Sequence, residues 1–123
     1  MVAYSFKPQF APLVESGQKC QTIRGNRKRH ALPRGQVQLY TGMRTKQCRH
    51  LRTATCLSVE PIRIEPVNSV TLAGQQLNQQ QVNDLAIADG FASADEFVQF
   101  FQDNYGLPFE GVLIKWEEKT DEH

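Results

Sequence analysis

Residues Gly17 to Arg24 read GQKCQTIR, and the fold turns on whether this stretch is a strand or a loop. Thr22 and Ile23 favour extended backbone. On a strand Thr22 and Arg24 share one face while Ile23 points to the other, where it can anchor in a core. Lys19 lies three residues before Thr22 and would face the opposite way on a regular strand. Gly17, placed to end a preceding helix, supplies a turn that can redirect it. If Lys19, Thr22 and Arg24 converge, the combination suits either of two tasks. A lysine buried beside an arginine loses proton affinity and can act as base toward a hydroxyl, making Thr22 a nucleophile. Alternatively, ammonium, hydroxyl and guanidinium simply bind phosphate or carbonyl oxygens. Taken by itself, K-x-x-T-x-R spacing favours a surface lysine, a strand threonine and a salt-bridging arginine.

On the N-terminal side, Val2 to Phe6 alternates as a first strand, and Phe10, Leu13 and Val14 have the i, i+3, i+4 spacing of a short helix. On the C-terminal side, Gly25 to Gly35 has no apolar period and reads as a basic loop. Val37 and Leu39 mark a half-buried strand that Thr41-Gly42 interrupts, and a second basic stretch runs from Arg44 to Arg52. An alternating run follows from Thr53 to Val59; Pro61 is expected to break it or place it on a sheet edge before Ile62 and Ile64 resume it. Val70 and Leu72 suggest a short strand. Gln79 to Asp89 reads as a helix with Val82, Leu85 and Ala86 inward. Ser93 to Glu96 forms a capping-box pattern before Phe97, Phe100, Phe101 and Tyr105, an apolar stripe that the spacing assigns to the core. Val112, Ile114 and Trp116 alternate as a closing strand. Strands at both ends with helices inserted argue for a single α+β domain on a mixed or antiparallel sheet.

The chain of 123 residues carries a net charge of only +1, but its charges are segregated. Twelve Lys or Arg face three acids up to Pro66, a net +9, whereas two lysines face ten acids beyond it, a net −8. If the fold keeps the halves apart, one side could meet phosphate and the other would repel it. No apolar run is long enough to cross a bilayer and the N-terminus lacks a signal-peptide pattern, so a cytoplasmic location is expected. The three cysteines, Cys20, Cys48 and Cys56, form no C-x-x-C pair and read as free thiols. His30, His50 and His123 have no partner at ligand spacing, so neither a metal nor a cofactor is expected. Arg44, in the T-G-M-R turn, could be aimed into a neighbouring cleft.

GQKCQTIR, the basic loop, GQVQLYTGMRTKQC, ADGFASADEFVQFF and the closing FEGVLIKW together resemble the ASCH family over nearly the whole chain. The most specific element is G-x-K-x-x-T-[IL]-R at Gly17, Lys19, Thr22, Ile23 and Arg24; D-G-F matches Asp89, Gly90 and Phe91. The resemblance implies a small PUA-like mixed β-barrel flanked by helices, with a cleft near the signature and a role in binding RNA. In one branch, similar to amidohydrolases that deacetylate N4-acetylcytidine, the matching lysine and threonine are base and nucleophile and a glutamate before the second helix assists. Lys19 and Thr22 match the first two, and Asp89 stands in the glutamate's place, one methylene shorter. The expectation is therefore a module that binds RNA or a modified nucleoside through Lys19, Thr22, Arg24 and Arg44. Arg24, Arg27, Lys28, Arg29, Arg34 and Arg44 would contact phosphates. The alternative is an acetylcytidine-type hydrolase using Lys19, Thr22 and Asp89.

Overall fold

A computed structural model describes residues 2–27 and 29–119. The order of elements is β1 (Val2–Phe6), α1 (Ala11–Ser16), β2 (Gln21–Gly25), β3 (Gln36–Thr41), β4 (Arg49–Glu65), β5 (Ser69–Leu72), β6 (Gln75–Gln76), α2 (Gln79–Ala88), α3 (Ala94–Tyr105) and β7 (Phe109–Trp116). Among the described residues no helix is long and apolar enough to cross a membrane.

β4 organises the sheet because it is long enough to serve different neighbours along its length. Its first half pairs antiparallel with β3, and β3 pairs in parallel with β1. Its second half pairs antiparallel with β7, which in turn carries β2. Further along, Ile62 faces Leu72 of β5 on one edge and Gly111 of β7 on the other. The strand runs through Pro61 without a break; among the described residues it pairs there with β7 alone, so Pro61 lies on an edge, the other alternative the sequence offers. Pro61 sits opposite Val112, and its carbonyl accepts from Ala73 N just before the β5 ladder begins at Ile62. Its missing N–H therefore falls beyond the end of that ladder and costs no strand hydrogen bond. The register slips between Cys56 and Ser58, which leaves Leu57 bulged and exposed.

Two cores lie on opposite faces of this sheet. Tyr4, Phe6, Val37, Leu39, Ile114 and Trp116 pack with Phe10 and Val14 at α1. Ile23, Ile64, Val70 and Leu113 pack against Val82 and Leu85 of α2 and Phe97 and Phe101 of α3. Adjacent residues of one strand thus serve different cores, as strand alternation requires, and each large apolar side chain so buried contributes about 1.5–3 kcal/mol. The helices are fixed at their ends. Asn78 and Gln81 form a reciprocal capping box on α2, and Ser93 accepts from Glu96 N on α3.

The fold is α+β, with a mixed seven-stranded sheet and three helices among the described residues. The barrel that the resemblance implied is not closed by backbone pairing. Among the described residues β1 pairs only with β3 and β2 only with β7, so a seam separates β1 from β2. β2 must lie close against β7 to define that seam, and Gly111, in register with Gly25, makes this possible. A Cβ at Gly111 would collide with the Arg24 carbonyl. Gly111→Ala is expected to destabilise the domain by about 1–3 kcal/mol through this overpacking; a fall of the urea midpoint by about 1 M would register it.

Candidate functional site

The seam is where the signature residues meet. α1 ends at Gly17, whose φ of 89° only glycine adopts freely, and Lys19 N donates to Leu13 O at 2.9 Å. This reversal carries the Lys19 side chain beneath α1 to the end of α2, which resolves the orientation that a regular strand would have denied it. Asp89 is the C-cap of α2. Lys19 Nζ donates to the Asp89 backbone carbonyl and, at 3.0 Å, to Asp89 Oδ1. The ammonium therefore neutralises both a carboxylate and the negative end of a helix. The shorter aspartate side chain does reach the lysine. Gln21 Nε2 donates to the same Oδ1 at 3.2 Å, and Lys19, Gln21, Thr22 and Asp89 are the buried polar side chains of the described chain.

Thr22 and Arg24 project together from β2. Arg24 Nε donates to Thr22 Oγ1 at 2.9 Å, while its Nη2 crosses the seam to the Ser5 carbonyl of β1 at 2.7 Å. The guanidinium lies over the rings of Tyr4 and Phe6, 5.3 and 5.0 Å from their centroids. Side chains rather than backbone thus bridge β1 and β2. Where they leave space, a cleft of about 120 Å³ opens, lined by Lys19, Thr22, Arg24, Asp89 and Ser5 and walled by Phe6, Phe10, Phe91, Phe100 and Tyr105.

Burial shifts the charged groups. Desolvation pulls Lys19 below the usual lysine range; Asp89 counters this by charge and hydrogen bond, and Arg24 adds to it. Desolvation likewise pushes Asp89 up, against the pull of Lys19, Gln21 and Arg24. Arg24 is lowered chiefly by burial. Each partner makes the burial of the other tolerable, so removing one exposes the full cost of the other.

The remaining expected contacts lie elsewhere. Arg44 is exposed in the β3–β4 turn with φ 68°, outside the cleft lining. The turn does stand beside the seam, since Met43 N donates to Ser5 Oγ. Arg27 lies over Tyr4, 4.6 Å from the ring centroid, and donates to the carbonyls of Arg29 and Ala3. Arg29 and Arg34 are exposed on the same loop; Lys28 falls outside the described residues. The loop itself is pinned. His30 Nε2 reaches Gly25 O at 2.9 Å and must donate, because a carbonyl only accepts; its Nδ1 meets the Tyr4 hydroxyl, which also accepts from Ala31 N.

Two features were missed or misassigned from the sequence. Of the helical stripe assigned to the core, Phe97 and Phe101 are buried, but Phe100 is half-buried, Tyr105 is 62% exposed and both line the cleft. Phe100 lies at one margin of the buried face formed by Phe97, Val98 and Phe101, and Tyr105 is the last residue of α3, so both are left to the cleft. Gln21 was overlooked, although a glutamine on the same strand face as Ile23 is the kind of polar residue that needs a buried partner.

Together these features define an α+β domain with a polar, aromatic-walled cleft at an open sheet seam. No protein-family model matches the chain, and no curated protein matches its sequence. Among solved structures it is similar to the ASCH protein of Zymomonas mobilis, with a TM-score of 0.58 and 13% identity over 94% of this chain and 66% of that one. Two single-residue variants of the same Zymomonas protein give TM-scores of 0.57 at 14% and 12% identity. The chain has the ASCH-domain fold and spans just under two thirds of the length of that first match.

Removal of Lys19 tests the coupling. Lys19→Met leaves Asp89 buried without its cation and is expected to cost about 3–5 kcal/mol near neutral pH. Asp89 in this variant is raised further above its unfolded value. The stability it contributes is then present in acid and lost as pH rises through the raised value. The urea midpoint of Lys19→Met should therefore fall as pH rises above the ordinary carboxylate range, more steeply than that of the parent.

Proposed function

We propose that the seam cleft binds a single base or nucleoside unit, presented by an RNA strand whose phosphates lie along the basic rim. The observation that carries this reading is the pairing of flat aromatic walls with uncommitted hydrogen-bonding groups in a space of about 120 Å³. Thr22 accepts from Arg24 but its own hydroxyl hydrogen has no acceptor among the described residues, and Arg24 Nη1 is equally unused. Rings such as Phe100 and Tyr105 offer stacking surfaces of the kind that hold unpaired bases, worth about 1–3 kcal/mol per base.

The charges around the cleft support a strand on one side only. Arg27, Arg29 and Arg34, and across β1 Arg44 and Lys46, have no carboxylate partner among the described residues. On the opposite rim, Asp95, Glu96 and Asp103 of α3 surround a groove that shares Phe91 and Phe100 with the cleft. Phosphates would be drawn to the first rim and repelled from the second. Filter binding of short single-stranded RNAs at about 50 mM and about 200 mM salt should show affinity falling with salt. Arg27→Ala should reduce the log–log slope by about 0.7. Absence of salt-sensitive binding would overturn the reading.

One observation favours a second, hydrolytic reading. The Arg24 Nε donor on Thr22 Oγ1 would stabilise an alkoxide forming there, and the lowered proton affinity of Lys19 suits a base. In the resting geometry, however, the hydrogen bonds of Lys19 go to Asp89 and not to Thr22. Binding therefore stands first. Incubation with N4-acetylcytidine, following released cytidine, separates the two: turnover abolished in both Lys19→Ala and Thr22→Ala would establish the hydrolase. No turnover at high enzyme concentration would reject that substrate.

A further inference from the structure

A buried glutamine at the start of a strand is costly unless something requires its amide. Gln21 is 4% exposed, opposite Lys115 on β7 and on the same strand face as Ile23, a position that an aliphatic side chain would fill at no polar cost. Its Nε2 donates to Asp89 Oδ1 at 3.2 Å, the same oxygen that takes Lys19 Nζ at 3.0 Å. Two donors on one oxygen fix the rotation of the carboxylate about its Cβ–Cγ bond. The other oxygen, Oδ2, has no partner among the described residues, and Asp89 lines the cleft.

We infer that Gln21 is the positioning residue of the cleft: by holding Oδ1 together with Lys19, it presents Asp89 Oδ2 to the ligand as a fixed hydrogen-bond acceptor. Lys19 supplies one donor on Oδ1 while also bonded to the Asp89 backbone carbonyl, and Gln21 supplies the second donor from β2. A second cation in place of Gln21 would crowd Lys19 and Arg24, the positive groups that act on Asp89. A neutral amide supplies the donor without adding charge. An ionised carboxylate oxygen only accepts, so whatever enters the cleft must offer a donor, such as an N–H or O–H, at that point. The inference concerns the resting site and holds for either the binding or the hydrolytic reading.

The test is a ¹³C NMR titration of the Asp89 carboxyl in the ligand-free protein. Loss of a hydrogen bond to the ionised form raises the titration midpoint. Gln21→Met keeps the volume and removes the donor, and the midpoint should rise by about one pH unit, a tenfold gain in proton affinity. Gln21→Glu should restore the donor only when the introduced carboxyl is protonated, so that carboxyl and Asp89 would titrate as a pair sharing one proton, in two separated steps. Lys115→Ala, on the neighbouring strand, should leave the midpoint unchanged. An Asp89 midpoint in folded Gln21→Met equal to that of the parent would overturn the inference. If Gln21→Met does not fold, a single unshifted Asp89 step in Gln21→Glu overturns it equally.

Discussion

The ion pair between Lys19 and Asp89 is the constraint around which the site is built. Both groups lie under a few per cent exposure, so neither could remain charged without the other. Their requirement for one another fixes the distance between the start of β2 and the end of α2. That fixes in turn where Gln21, Thr22 and Arg24 project. Arg24 then reaches across to the Ser5 carbonyl and sets the width of the seam. A hydrophobic pair of equal volume could hold the same elements together at no desolvation cost. Retention of buried charge where apolar packing would serve agrees with a use for these groups beyond stability.

An incompletely paired sheet is a liability, because free strand edges invite association. Here side chains take up carbonyls on the open edge of β1. Arg24 and Arg27 take the carbonyls of Ser5 and Ala3 while stacking on the aromatic side chains of β1. Those two β1 carbonyls have donors, yet the space a ladder would have filled remains as a cleft. The same architecture thus answers a structural problem and creates a concave, polar site in a domain too small to form a large one.

Much of this arrangement was legible in residue spacing. Thr22 and Arg24 share a strand face because of the two-residue period, and Ile23 is buried on the other side for the same reason. Asp89-Gly90 ends a helix as its composition indicated. Other features depend on contacts that no local pattern encodes. Pro61 sits inside a strand because its absent N–H falls beyond the end of the β5 ladder. Tyr105 continues the apolar stripe of Phe97 and Phe101 but projects past the core to the cleft mouth. Arg44 follows a turn correctly anticipated, yet the left-handed backbone there leaves it outside the cleft. The importance of Gln21 lies wholly in Asp89, 68 residues away.

Entry of ligands at the β1–β2 seam is most directly tested by amide chemical-shift mapping during titration with a short single-stranded RNA. Perturbations should concentrate at Ser5, Phe6, Thr22, Arg24 and Phe91 and along the 25–35 loop, with little change on the acidic face of α3. Perturbations centred on α3 or on β5 and β6, with the seam residues unmoved, would contradict it.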